Sequence, residues 1–230
     1  MEHYSNTALN GIRIVELSVG GVGTTAGKIL ADFGAEVIKV ENPKSPDPMR
    51  GFLPEKWNSA LHFAEFNRNK YGISVDLRNE KELGVFKDLI SVSDAMIENF
   101  SPGVLKRRGV DFDVLKSVNP SLVMVSMSGL GQTGPYSHYS IWGPNLMPYF
   151  GETGLWNHDD SGEPVGAGLV HPDFFAGIIG AYITMAALNH RTLTGQGHYI
   201  DASEGEAGAS LIDQYYIDAD VNKRLPKPVG

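Results

Sequence analysis

Pro172-Asp173 stands immediately ahead of Phe174-Phe175-Ala176-Gly177-Ile178-Ile179-Gly180, a carboxylate at the edge of an apolar, small-residue run. An aspartate there can act as helix N-cap, its oxygens accepting from first-turn N–H groups. Held at the mouth of an apolar cleft, the same carboxylate, ionised at neutral pH, can serve as nucleophile or base. A second chemical feature is Gly21-Val22-Gly23-Thr24-Thr25-Ala26, which fits the G-x-G-x-x-G/A template, with Glu41 about twenty residues on. Such a turn offers backbone N–H groups to a phosphate without fixing which cofactor carries it; a plain tight turn and an NAD-dependent oxidoreductase remain readings of the same residues. Lys39, Lys70, Arg78, Arg107 and Arg108 fall near expected strand ends and helix starts, where several converging at one rim would bind phosphates and separate ones would form a solvated face.

Other chemistries are excluded or unsupported. The chain has no Cys, so disulfides, zinc thiolate sites and thiol catalysis are out. The seven histidines show no metal-ligand spacing, and no metal is expected. Neither a G-x-S-x-G elbow nor a G-x-x-x-x-G-K-[ST] loop occurs.

The elements that must position these groups follow an α/β pattern. Ile12–Leu17 is β-rich, Ser18–Thr25 a small-residue turn, Ala26–Phe33 helical, and Glu36–Val40 a second strand. Asn42–Lys56 holds four prolines and reads as a surface loop. Leu61–Phe66 resumes order, Gly72–Leu77 reads as a strand, Glu80–Ser91 as an amphipathic helix and Ala95–Glu98 as a strand. Two short helices follow, one opened by Pro102–Leu105 and one over Phe112–Val118, before a strand at Leu122–Met127. Gly129–Ser140 and Asp159–Gly168 are polar loops, Asp173–Asn189 a buried helix, His198–Asp201 strand-like, and Glu204–Asn222 helical. Strands separated by helices imply a largely parallel sheet, whose ligands gather beyond the carboxyl ends of the strands.

At 230 residues, 42% hydrophobic and 20% charged, the chain is an ordinary globular protein with a sizeable core rather than a disordered one. Its formal charge of −8 disfavours broad nucleic-acid binding, while leaving room for a local cationic pocket. Residues 1–10 lack a basic patch leading into an apolar stretch, and the longest apolar run, Phe174–Leu188, is fifteen residues, short of a membrane span. No membrane association and a cytoplasmic location are therefore expected. Residues 1–222 read as one large Rossmann-like domain and 223–230, Pro-rich and ending in Gly, as the start of a linker.

The ordered string of motifs resembles the class III (CaiB/BaiF) CoA-transferases. It opens with Leu9-Asn10-Gly11-Ile12-Arg13-Ile14-Val15-Glu16-Leu17 and Leu30-Ala31-Asp32-Phe33-Gly34-Ala35-Glu36-Val37-Ile38-Lys39-Val40-Glu41. It runs on through Asn67-Arg68-Asn69-Lys70, Val75-Asp76-Leu77-Arg78 and Glu98-Asn99-Phe100-Ser101-Pro102-Gly103. Ser128-Gly129-Leu130-Gly131-Gln132-Thr133-Gly134-Pro135-Tyr136 and Thr194-Gly195-Gln196-Gly197 complete it.

That resemblance implies a Rossmann-like large domain with Asp173 at the family's catalytic aspartate. The carboxylate would attack an acyl-CoA thioester to give a mixed anhydride and CoA thiolate, and an aspartyl-CoA thioester would then pass CoA to an acceptor acid. By position, Gly20, Gly21, Val22, Asn42, Val75, Arg78, Asn99, Phe100, Ser101 and Arg107 would contact CoA. No permanently bound cofactor is implied; CoA and acyl-CoA are substrates, with a small carboxylic acid as partner. An interlocked homodimer, or a heteromer with a chain carrying the small domain, also follows from the resemblance, as does a non-catalytic CoA-binding subunit as the alternative activity. One departure is local: Trp142-Gly143-Pro144-Asn145 stands where an aromatic or histidine followed by an acidic residue is usual, so an accessory acid is missing there.

Overall fold

The computed structural model describes residues 7–51, 58, 60–158 and 168–228. The expected loop over Asp159–Gly168 falls largely outside them, as does Pro54 of the expected loop over Asn42–Lys56. Six strands form one parallel sheet: β1 (Arg13–Leu17), β2 (Glu36–Glu41), β3 (Lys70–Ser74), β4 (Ala95–Glu98), β5 (Val123–Ser126) and β6 (Tyr199–Asp201). Their order is β3-β2-β1-β4-β5-β6, so the winding reverses between β1 and β4. That reversal opens a crevice at the carboxyl ends of these two strands.

Ten α-helices occur among the described residues: α1 (Val22–Asp32), α2 (Leu61–Phe66), α3 (Glu80–Ser91), α4 (Val104–Arg108), α5 (Phe112–Val118), α6 (Gly143–Tyr149), α7 (Glu152–Leu155), α8 (His171–Thr194), α9 (Glu204–Ser210) and α10 (Asp213–Asn222). The central strands are apolar on both faces because both are covered by helices. Alternate residues feed two cores. Ile14, Ile97, Val123 and Val125 pack beneath α1 and α8. Val15, Met96 and Met124 pack with Phe86, Leu105 and Leu115 of α3, α4 and α5.

The small residues of α8 set the distance of that helix from α1. A Cβ on Gly177 would strike the Thr25 side chain and the Val22 carbonyl, and one on Gly180 would strike Met127. This close approach brings the start of α8 to the glycine turn that follows β1. Under that turn lies a buried charge cluster. Glu16 of β1, fully buried, pairs with Lys39 at 3.0 Å and Lys70 at 2.6 Å, and Lys39 also reaches Asp47 at 3.0 Å. Burial opposes the Glu16 charge, but the two lysines outweigh it and hold its carboxyl below the usual range. Lys39 further donates to the Ser18 carbonyl and Lys70 to that of Thr24, while Asp47 accepts from the Gly20 N–H. Both lysines are thus spent bracing the turn from below, and neither stands at a phosphate-facing rim.

Element boundaries depart from the sequence reading in four places, the first being α1, which begins at Val22 inside the expected Ser18–Thr25 turn rather than at Ala26. The third strand covers Lys70–Ser74 rather than Gly72–Leu77, because Asp76 turns the chain by accepting from the Arg78 N–H and donating its own N–H to Glu82. The expected helix over Glu204–Asn222 is two helices, broken where Ile212 adopts φ −125° and buries its side chain. The buried helix starts at His171 and runs to Thr194, longer at both ends than Asp173–Asn189. Among the described residues, no helix is long and apolar enough to cross a membrane.

Candidate active site

Asp173 lies in the first turn of α8, whose N-cap is Val170, so it is not the N-cap residue its sequence context suggests. Pro172 is tolerated ahead of it because first-turn N–H groups have no helical partner to lose. The turn is anchored by His171, whose Nδ1 lies 2.9 Å from Glu152 Oε1 of α7 and whose ring packs on Trp156 at 4.5 Å. The Asp173 carboxyl is wedged between two glycines. A Cβ on Gly21 would collide with Oδ2, and one on Gly143 would collide with Oδ1. The Gly-for-acid departure noted at residue 143 is therefore a space requirement of the aspartate itself.

Asp173 lines a cavity of about 250 Å³ with Gly20, Gly21, Val22, Asn99 and Ser101. A second cavity of about 410 Å³ carries Asn42, Val75, Arg78 and Arg108. Val19, Phe100 and Trp142 line both, so the two chambers abut across one wall. Nine of the ten residues expected to contact CoA are brought to these two chambers.

The exception is Arg107. It is exposed, lies over Gly103, and lines neither chamber; Arg108, one residue on and about 100° around the helix, faces the larger one. Asn99 is also more engaged than a free ligand-binding amide. Its Nδ2 donates to the Val19 carbonyl at 2.7 Å and its Oδ1 accepts from the Val19 N–H at 3.0 Å, tying the end of β4 to the β1 turn. The acids near Arg78 and Arg108 are matched: Glu41 by Arg50 at 2.6 Å and Asp76 by Lys44 at 2.8 Å.

Two buried carboxyls escaped the sequence reading. Glu204 opens α9 directly beyond the carboxyl end of β6 and lines the smaller cavity with Asp173, where Glu204 Oε1 and Asp173 Oδ1 are both buried without a hydrogen-bond partner. Burial, then the Asp173 charge, pushes its carboxyl up to about 10; burial also raises that of Asp173. Placement at a strand's carboxyl end was the available signal. Glu98 ends β4, bonds Ser126 Oγ, accepts from the Phe100 N–H at 2.8 Å, and is pushed by burial up to about 7. Among the described residues, no group of three or more His, Asp and Glu is placed to hold a metal ion.

Comparison with known proteins gives a consistent result. The model of CoA-transferase family III matches residues 9–230. The chain is 34% identical over 208 residues to the succinyl-CoA–L-malate CoA-transferase alpha subunit of Chloroflexus aurantiacus, covering 90% of this chain and 49% of that protein. It is 32% identical over 229 residues to the succinate–glutarate CoA-transferase of Agrobacterium fabrum, covering 96% and 57%. The crystal structure of a CaiB/BaiF family protein from Brucella suis superposes with a TM-score of 0.92 at 32% identity, over 98% of this chain and 60% of that one. The chain thus spans about half the length of the curated relatives it matches.

Proposed function

The chain belongs to CoA-transferase family III, and from that membership we propose that it moves coenzyme A between an acyl-CoA donor and a carboxylic acid, with Asp173 as covalent nucleophile. The observation that carries this reading is the Asp173 carboxyl, pinned between Gly21 and Gly143 on the wall of a cavity that abuts a larger, arginine-bearing chamber. Phosphates at Arg78 and Arg108 would leave the pantetheine arm to pass Phe100 and Trp142 toward Asp173.

The Asp173 carboxylate attacks the thioester carbonyl, expelling CoA thiolate and forming a mixed anhydride. The thiolate attacks the aspartyl carbonyl, which releases the donor acid as carboxylate and leaves an aspartyl-CoA thioester. The acceptor carboxylate attacks that thioester, expelling thiolate and forming a second anhydride. The thiolate then attacks the acceptor's acyl carbon, yielding the new acyl-CoA and regenerating Asp173. Each step exchanges one activated acyl group for another, so no step requires hydrolysis. The positive end of α8, where Asp173 sits, favours the oxyanion formed at the aspartyl carbonyl in the second and third attacks.

Succinyl-CoA as donor and a dicarboxylic acid as acceptor follow the names of the two relatives compared, and the alpha-subunit name of one of them supports assembly with a second chain. The proposed domain is the large CoA-binding one over residues 1–222. The decisive experiment is trapping: incubation with succinyl-CoA, quenching with hydroxylamine or borohydride, and peptide mass spectrometry. Modification at Asp173 is expected, with D173A unmodified and slower in exchange by more than about a thousandfold. An unmodified Asp173 across a panel of acyl-CoA thioesters would leave only a CoA-binding role. Calorimetric titration should show CoA binding and no NAD binding.

A further inference from the structure

Glu204 is buried to 5% exposure, and its Oε1 has no hydrogen-bond partner. Its position is built rather than incidental. Ser203 caps α9 by accepting from the Glu206 N–H at 3.2 Å, and the Glu204 and Gly205 N–H groups donate to the Ser128 and Gly129 carbonyls at 3.0 and 2.8 Å. Gly208 lets α9 pack against Pro172, the residue before Asp173. The loop leaving β5 and the start of α8 thus hold the two carboxyls on the wall of one cavity.

The pair is asymmetric. Asp173 is half-buried in the first turn of a 24-residue helix, whereas Glu204 is buried and opens a helix of only seven residues. The other ionisable groups nearby are engaged or turned away: His171 pairs with Glu152, while Glu206 and Asp201 are exposed. Two adjacent carboxyls in such a chamber cannot both ionise, so one proton is retained. The deeper burial of Glu204 and the longer helix behind Asp173 assign the charge to Asp173 and the proton to Glu204.

We propose that Glu204 is the protonated partner of the Asp173 carboxylate, donating the hydrogen bond that orients it for attack and then stabilises the oxyanion at its carbonyl. The proposal rests on the CoA-transferase reading, and it supplies from α9 the second acid that the Trp142-Gly143 segment lacks. Its proton is shared and never leaves, so the atom balance of the transfer is unchanged. Neutrality matters because the reaction brings further anions, a thiolate and an acceptor carboxylate, into the same chamber, where an ionised Glu204 would repel them. Once Asp173 is acylated it carries no charge, and the Glu204 hydroxyl faces the carbonyl oxygen where charge develops.

Two measurements on the full chain test this. Infrared difference spectra of the wild type against E204Q at pH 8 should contain a protonated carboxyl band belonging to Glu204; its absence overturns the proposal without touching the transferase reading. In CoA exchange, E204L should lose about a hundredfold in kcat with little change in KM for the acyl-CoA. E204Q, which keeps a neutral donor, should recover to within about tenfold of wild type and lose the fall in rate at alkaline pH. Equal impairment of E204Q and E204L, or a fully active E204L, overturns the proposal. A Glu204 band in a wild type that neither exchanges CoA nor acylates Asp173 overturns the transferase reading, and the catalytic role of Glu204 with it. The spectra do not depend on E204L folding.

Discussion

Gly143 faces Asp173 Oδ1 with no room for a methyl group between them, and the same methyl would also strike the Val170 side chain at the N-cap of α8. The oxygen cannot yield toward Gly21, which crowds Oδ2 from the other side. An alanine at 143 must therefore turn the carboxyl or displace the start of α8. G143A should lower kcat for CoA exchange by about a hundredfold, the effect of misplacing a reacting group by an ångström. Its overpacking should cost about 1–3 kcal/mol of stability. Steady-state kinetics with denaturant unfolding checks both; unchanged kcat would mean the carboxyl is not held by that face.

Asn99 clamps the β1 turn through both ends of its amide, so its substitution tests whether that turn must be fixed for the ligand. N99A leaves the Val19 N–H and carbonyl without their partner and should cost about 1–3 kcal/mol. CoA affinity should fall as well, because the turn bearing Gly20 and Gly21 loses its tie to β4. Calorimetry with CoA on N99A gives the outcome; full affinity would make Asn99 purely structural.

The sheet was readable from sequence because its central strands are short apolar runs separated by amphipathic helices, and Phe112–Val118 and Glu80–Ser91 match the observed helices end to end. Asp173 and the glycine turn were readable because both sit at element junctions with restricted residue types. Three features were not. The pairing of Glu204 with Asp173 joins residues far apart in the chain through packing of α9 on α8, which no local pattern carries. The burial of Lys39 and Lys70 depends on Glu16, which reads as one polar position in a strand. Which of Arg107 and Arg108 faces the cavity depends on the rotation of α4, a helix of five residues that is too short to show periodicity.

Glu98 predicts how stability varies with pH. Burial pushes its carboxyl from the usual 4.5 up to about 7. Between these values the folded chain holds a proton that the unfolded chain has released, so stability is greatest at low pH and falls as pH rises toward 7. The loss is of the order of 2–4 kcal/mol once both states are ionised. Glutamine keeps an acceptor for the Phe100 N–H and carries no charge to bury, so E98Q should abolish this dependence and exceed the wild type in stability at pH 8. Urea unfolding of both chains at pH 5 and pH 8 makes the comparison; parallel pH dependence would rule out Glu98 as its source.

Arg78 and Arg108 should distinguish CoA from CoA lacking its 3′-phosphate if the larger chamber holds the nucleotide end. Both line that chamber, whereas Arg107 points to solvent. A guanidinium–phosphate contact contributes about 1.5–3 kcal/mol, so R108A and R78A should each weaken CoA binding by about tenfold or more. Raising salt should narrow the gap between wild type and variant, since partly exposed charges are screened. R107A should bind CoA as the wild type does. Titration of the three variants with CoA and dephospho-CoA decides it: a variant that loses affinity for CoA but not for dephospho-CoA identifies the arginine at the 3′-phosphate, and equal losses place it on the diphosphate. If R107A alone weakened binding, α4 would present the opposite face to the ligand, and the larger chamber would not be the nucleotide site.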